Sequence, residues 1–110
     1  MPPRRKLPAF RGALSETFID ITWDEANRAA HEAKRPRPRF EAARYADWSR
    51  VFKRKDVEHR AQPTRFQALV GRDLGIAYAV YFVVYAKVDG YLNLITIRFA
   101  NDAERQVFFR

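Results

Sequence analysis

Residues 91–105 read Tyr-Leu-Asn-Leu-Ile-Thr-Ile-Arg-Phe-Ala-Asn-Asp-Ala-Glu-Arg, and their character changes midway. The first part is an apolar run of the kind buried in a sheet. Strict alternation places Tyr91, Asn93, Ile95, Ile97 and Phe99 on one side and Leu92, Leu94, Thr96 and Arg98 on the other. Asn101, with Glu104 three residues later, is a helix start in which each side chain accepts from a free backbone N–H. Phe108 packs that short helix back. Arg98 closes an otherwise apolar row. Either it snorkels to water at the sheet margin, or it waits for an anion at the mouth of a cleft.

Outward from that stretch, Asp89-Gly90 is a tight hairpin signal, because a two-residue turn requires positive φ at both positions. It joins the strand to residues 76–88, dense in β-branched and aromatic side chains. Residues 65–71 form the strand before, turned by Gly71-Arg72-Asp73-Leu74-Gly75. Residues 53–64 are polar and read as a connection. Residues 38–52 read as a helix, since Glu41, Tyr45, Trp48 and Phe52 share one face at helical spacing. Arg35-Pro36-Arg37-Pro38-Arg39 stops an earlier helix over residues 23–34. That helix opens on Thr22 and Glu25 as a capping box and carries Ala26, Ala29, Ala30 and Ala33 as a close-packing face. Residues 17–23 alternate as a half-buried strand. Residues 1–16 form a flexible basic arm. The expected order is β-α-α-β-β-β-α: one α+β domain over residues 17–110, with helices laid on a small antiparallel sheet.

The 110 residues suffice for one core. The net charge of +8 is polarised. Residues 1–65 hold 16 Lys/Arg against 9 Asp/Glu, and residues 66–110 hold 5 against 4. A basic half attracts polyanions, chiefly nucleic acid, or an acidic protein partner. There is no cysteine, so neither a disulfide framework nor thiolate chemistry is available. The first ten residues lack the apolar core of a secretion signal, and the longest apolar run is too short to span a bilayer. A soluble cytoplasmic protein is expected.

His31 and His59 are the two histidines and fall in no compact ligand pattern, so no metal site is expected. Phosphate-loop, dinucleotide and serine-nucleophile motifs are absent, and no cofactor is expected. The chemistry left open needs only cations and one proton-transfer group. RNA cleavage is such a reaction, because the substrate's 2′-hydroxyl is the nucleophile. Arg98 and Arg65 are the candidates for stabilising the phosphate. His59, Glu58, Arg60 or His31 are the candidates for moving protons. Lys34, Arg35 and Arg60 are candidates for holding the RNA backbone.

Three stretches resemble the BrnT family of bacterial toxins, ribonucleases that share the fold of RelE-type toxins. These are Ile21-Thr22-Trp23-Asp24, Phe40-Glu41-Ala42-Ala43, and Leu94-Ile95-Thr96-Ile97-Arg98-Phe99-Ala100 followed by Ala103-Glu104-Arg105. The last is similar to the family's strand ending in Ser-x-Arg-x-Ala and its Glu-Arg helix. Lys34-Arg35-Pro36 stands where the family commonly has Lys-His-Gly, and Phe108 where it has a late tyrosine. The resemblance implies a RelE-like fold and a type II toxin that cleaves RNA without a metal and inhibits translation. It also implies an antitoxin partner with a ribbon-helix-helix domain, through which alone the complex would meet DNA. Two other readings stand beside it: a non-catalytic basic module that binds nucleic acid or protein, and a scaffold whose exposed strand edge pairs with another chain.

Overall fold

The structure, a computed structural model, describes residues 8–34, 36–57 and 63–110. It is an α+β domain built on one six-stranded sheet. In chain order the elements are β1 (Arg11–Leu14), β2 (Ile21–Trp23), α1 (Glu25–Glu32), a 3₁₀ helix (Phe40–Tyr45), β3 (Asp47–Lys55), β4 (Arg65–Asp73), β5 (Tyr78–Val88), β6 (Tyr91–Phe99) and α2 (Asp102–Phe108). The strand order is β1-β3-β4-β5-β6-β2. β2 joins β6 in parallel, so the sheet is mixed rather than purely antiparallel. The hairpin at Asp89-Gly90 forms as its sequence requires, with φ of 52° and 84°.

Two expectations about element type and facing fail for one physical reason. Residues 47–55 are a strand, and only residues 40–45 of the expected second helix are helical. The pairing of β3 with β4 shifts between Asp47 and Phe52. Trp48 and Val51, three residues apart, consequently enter the same core cluster. A bulge inserted into a period of two mimics helical spacing. β6 repeats the device: Val84 faces Thr96 and Tyr85 faces Leu94, so Ile95 is the extra residue. Leu92, Leu94 and Ile97 therefore share one core, whereas alternation had put Ile97 opposite the two leucines. Ile95 packs instead against the cluster on the other face.

The sheet is buried on both sides. On one face Ala68, Val70, Val83, Tyr85, Leu94 and Ile97 pack with Phe40, Ala43 and Trp48. On the other, Leu69, Val80, Phe82 and Val84 pack with Phe108 of α2 and partly buried Phe52. The chain passes from β1 at one edge to β2 at the other by crossing the first face. Glu16 is buried on this crossing, accepting from the Tyr85 hydroxyl at 2.6 Å and from Lys53 and Lys87 Nζ at 3.1 Å each. Residues 11–16, read as the end of a flexible arm, are thus a paired strand and a buried anchor.

α1 also departs from expectation. Asp24, not Thr22, caps it, accepting from the Asn27 amide at 2.8 Å, because β2 continues through Trp23. Ala26, Ala29, Ala30 and Ala33 face solvent, and no residue of α1 is fully buried. The helix is held by polar contacts at the margin of β6, chiefly Asn27 Nδ2 donating to the Ile95 carbonyl at 2.7 Å. Among the described residues, no helix is long and apolar enough to cross a membrane.

Candidate nucleic-acid interface

Arg98 lies on the α2 face of the sheet, opposite Phe82. Its guanidinium sits 3.9 Å from the centre of the Phe82 ring and makes two parallel bonds to Glu104, at 2.8 and 2.9 Å. Glu104 also accepts from the Asn101 amide at 2.9 Å, while Asn101 Oδ1 accepts from the Glu104 amide at 2.8 Å, so the capping box and the ion pair share one carboxylate. Burial alone would raise the pKa of Glu104. The Arg98 bonds, the Asn101 amide and the charges of Arg98 and Arg54 outweigh it, and the carboxyl falls below its usual range. The geometry is a bidentate, hydrogen-bonded ion pair. Arg98 is therefore a strut between β6 and α2.

Arg65 does not join it. β5 lies between β4 and β6, and Arg65 stands opposite Ala86 whereas Leu69 stands opposite Phe82. Four residues of strand separate the two positions along the sheet, about 13 Å. The two phosphate candidates therefore stand on non-adjacent strands and do not share a site. Lys34 is exposed just beyond α1, its amide bonded to the His31 carbonyl at 3.1 Å. His59, Glu58, Arg60 and Arg35 lie outside the described residues.

What the fold does assemble is a groove on the opposite face, at the margin of β6. Two connected depressions of about 550 and 360 Å³ share Arg39, Glu41 and Phe99 as lining. Arg28, Glu32 and Arg37 complete the first, and Tyr45, Arg72 and Leu74 are among the residues completing the second. The sequence accounts for this layout. Pro36 and Pro38 take the chain out of helix, which leaves Arg37 and Arg39 on an extended span. The following 3₁₀ helix is pinned by buried Phe40, Ala42 and Ala43, so Glu41 and Tyr45 point outward from a fixed base. Phe99 ends β6 with its ring 5.7 Å from that of Tyr81 and half its surface open. Tyr45 is 67% exposed, and the Arg72 guanidinium lies 4.9 Å from its ring centre.

The charges in the groove differ in availability. Arg28 is committed to Glu25 at 2.7 Å and Glu32 at 2.8 Å. Among the described residues, the one polar side-chain contact of Arg37 is with the His31 ring at 3.4 Å, and Arg39 has none. His31 stands behind Arg37. Its Nδ1 lies between Arg37 Nη1 and the Thr96 hydroxyl at 3.3 Å, and its ring packs 5.7 Å from Phe40. Burial, then the charges of Arg37 and Lys34, hold its pKa below the ordinary 6.5, so the imidazole is neutral at pH 7. Arginine can only donate, which makes Nδ1 the acceptor and leaves the proton on Nε2.

This arrangement can take phosphates on Arg37, Arg39 and Arg72, and planar rings on Phe99 and Tyr45. The sequence presents Arg37 and Arg39 as flanks of helix-stopping prolines, and Tyr45 as one residue of a helical face. Arginines between prolines were the available signal, since such a span cannot hide them in a helix. Among the described residues, no group of three or more His, Asp or Glu is placed to hold a metal. Compared with protein-family models, with curated proteins and with solved structures, the chain matches none.

Proposed function

We propose that this chain binds single-stranded RNA along the groove at the margin of β6. The observation that carries the reading is the pairing of uncommitted arginines with exposed aromatic rings in one concave surface. Arginines supply the backbone charge, and rings supply stacking to bases that a duplex would keep covered. Exposed rings distinguish this surface from a basic face that is merely solvated. Fluorescence anisotropy with a labelled single-stranded oligonucleotide tests it. Arg37→Ala and Arg39→Ala together should weaken binding at least about ten-fold, from two lost charge-assisted contacts. Equal affinity of variant and parent would place any binding elsewhere.

A second reading adds cleavage, and the Arg37–His31–Thr96 unit favours it. It is the reaction implied by the resemblance to BrnT toxins, with a RelE-like fold and a ribbon-helix-helix antitoxin as partner. A phosphate that draws Arg37 toward itself leaves Nδ1 of a neutral imidazole with the Thr96 hydroxyl alone, which can rotate away. Nδ1 then takes the 2′-hydroxyl proton while the 2′-oxygen attacks phosphorus. The P–O5′ bond breaks, the O5′ leaving group takes a proton from water, and a 2′,3′-cyclic phosphate remains. Arg37 and Arg39 would face the developing charge. Induced expression should slow growth, and the purified protein should yield cyclic-phosphate ends in the presence of EDTA. His31→Ala should lower that rate about a hundred-fold. Binding without cleavage products would leave the first reading in place and remove the second.

A further inference from the structure

We propose that Glu41 makes the groove selective for an unpaired guanine, a proposal that rests on the RNA-binding reading above. A carboxylate in a phosphate-binding groove repels the backbone, so its presence needs a compensating donor. Glu32, the other carboxylate there, has one: Arg28 at 2.8 Å. Glu41 is exposed and has no hydrogen-bond or ion-pair partner among the described residues, although Arg39 follows the same wall. Its backbone is firmly placed, because the side chains beside it on the 3₁₀ helix, Phe40 and Ala42, are buried. Both depressions include Glu41 and Phe99, and Tyr45 stands four residues beyond Glu41 in the second.

A base stacked on Phe99 or Tyr45 presents its Watson–Crick edge to this carboxylate. Guanine alone offers two adjacent donors there, N1–H and the N2 amine, which match the two carboxylate oxygens in parallel. Adenine and cytosine place one amine beside an acceptor nitrogen, and uracil places one N–H between two carbonyls. Each would set a lone pair against a negative oxygen. Pairing in a duplex occupies that edge, so the selectivity applies to unpaired guanine. Arg37, Arg39 and Arg72 hold the flanking phosphates whichever base is present.

The test is an anisotropy titration with labelled oligouridylates carrying guanine, adenine or inosine at one central position. The guanine oligonucleotide should bind about ten-fold tighter than the adenine one, as expected for a bidentate base contact. Inosine, which lacks the N2 amine, should lose most of that preference. In Glu41→Gln the guanine-to-adenine ratio should fall to near one, a ratio insensitive to the fraction of protein folded. Equal affinities in the parent, or a ratio unchanged in Glu41→Gln, overturn the guanine assignment and leave the groove as a base-indifferent RNA site. Absence of binding to every oligonucleotide overturns the groove and the assignment together.

Discussion

Arg98 and Arg37 differ in how far their side chains are already engaged. Arg98 is conspicuous because it ends an apolar strand, yet both of its forks are occupied by Glu104. The signal was present in the sequence, since a glutamate already assigned to a helix cap lies six residues on. What the sequence does not display is that one carboxylate serves both the cap and the arginine. Arg98→Ala should therefore act on stability. It strips a carboxylate that is 11% exposed of its main partner, at a cost of about 1–2 kcal/mol once the 36% exposure of the arginine is discounted. Chemical denaturation measures this as a lower midpoint with an unchanged slope. RNA affinity per folded molecule should stay the same. At His31 the expectation concerns pH: if the groove cleaves RNA, the acid limb of kcat/KM should lie below 6.5, and Arg37→Ala should move it upward. A limb that does not move would separate His31 from the reaction.

Periodicity succeeded in the regular elements and failed where a bulge interrupts the repeat, in β3 and again in β6. β5, the Asp89-Gly90 turn and α2 contain no irregularity that breaks their own repeat, and their outlines were legible. β3 was not, because its bulge places Trp48 and Val51 three apart on one face. The crossing segment was illegible for a different reason. Glu16 becomes an anchor only when Tyr85, Lys53 and Lys87 converge on it from distant strands. Burial works against its charge, but the Tyr85 hydroxyl and the two lysines outweigh that, and the carboxyl is held below 4.5. The unfolded chain therefore takes up this proton first as pH falls. The stabilisation is complete above pH 4.5 and is lost as pH drops through the lower folded value. Glu16→Ala leaves the buried Tyr85 hydroxyl without its acceptor, costing about 2 kcal/mol, or about 10 °C in Tm. It should also flatten this part of the acid limb of stability against pH. A second element-level expectation concerns Gly71. A Cβ there falls 2.4 Å from Tyr78 Oη and 2.7 Å from Phe108 Cζ, so Gly71→Ala should cost about 1–3 kcal/mol by prising α2 off the sheet. A thermal melt that matches the parent would contradict this.

At the scale of the whole molecule, composition separates a basic half from a nearly neutral one, but it does not point to the groove. Its polarity runs along the chain, whereas the groove draws Arg37 and Arg39 from the first half and Arg72 and Phe99 from the second. The fold brings these together around one strand end while it spends Arg98 on the opposite face. Three uncommitted arginines would neutralise about three phosphates of a single strand, releasing about two counterions. The logarithm of the RNA affinity should therefore fall with the logarithm of salt concentration at a slope of about −2. The site itself is most directly located by backbone amide NMR during titration with a single-stranded oligonucleotide. Shifts concentrated in residues 28–45, 72–74 and 96–99 are predicted. Shifts concentrated in residues 50–54 and 102–110, around Arg98 and α2, or none at saturating RNA, would contradict the groove.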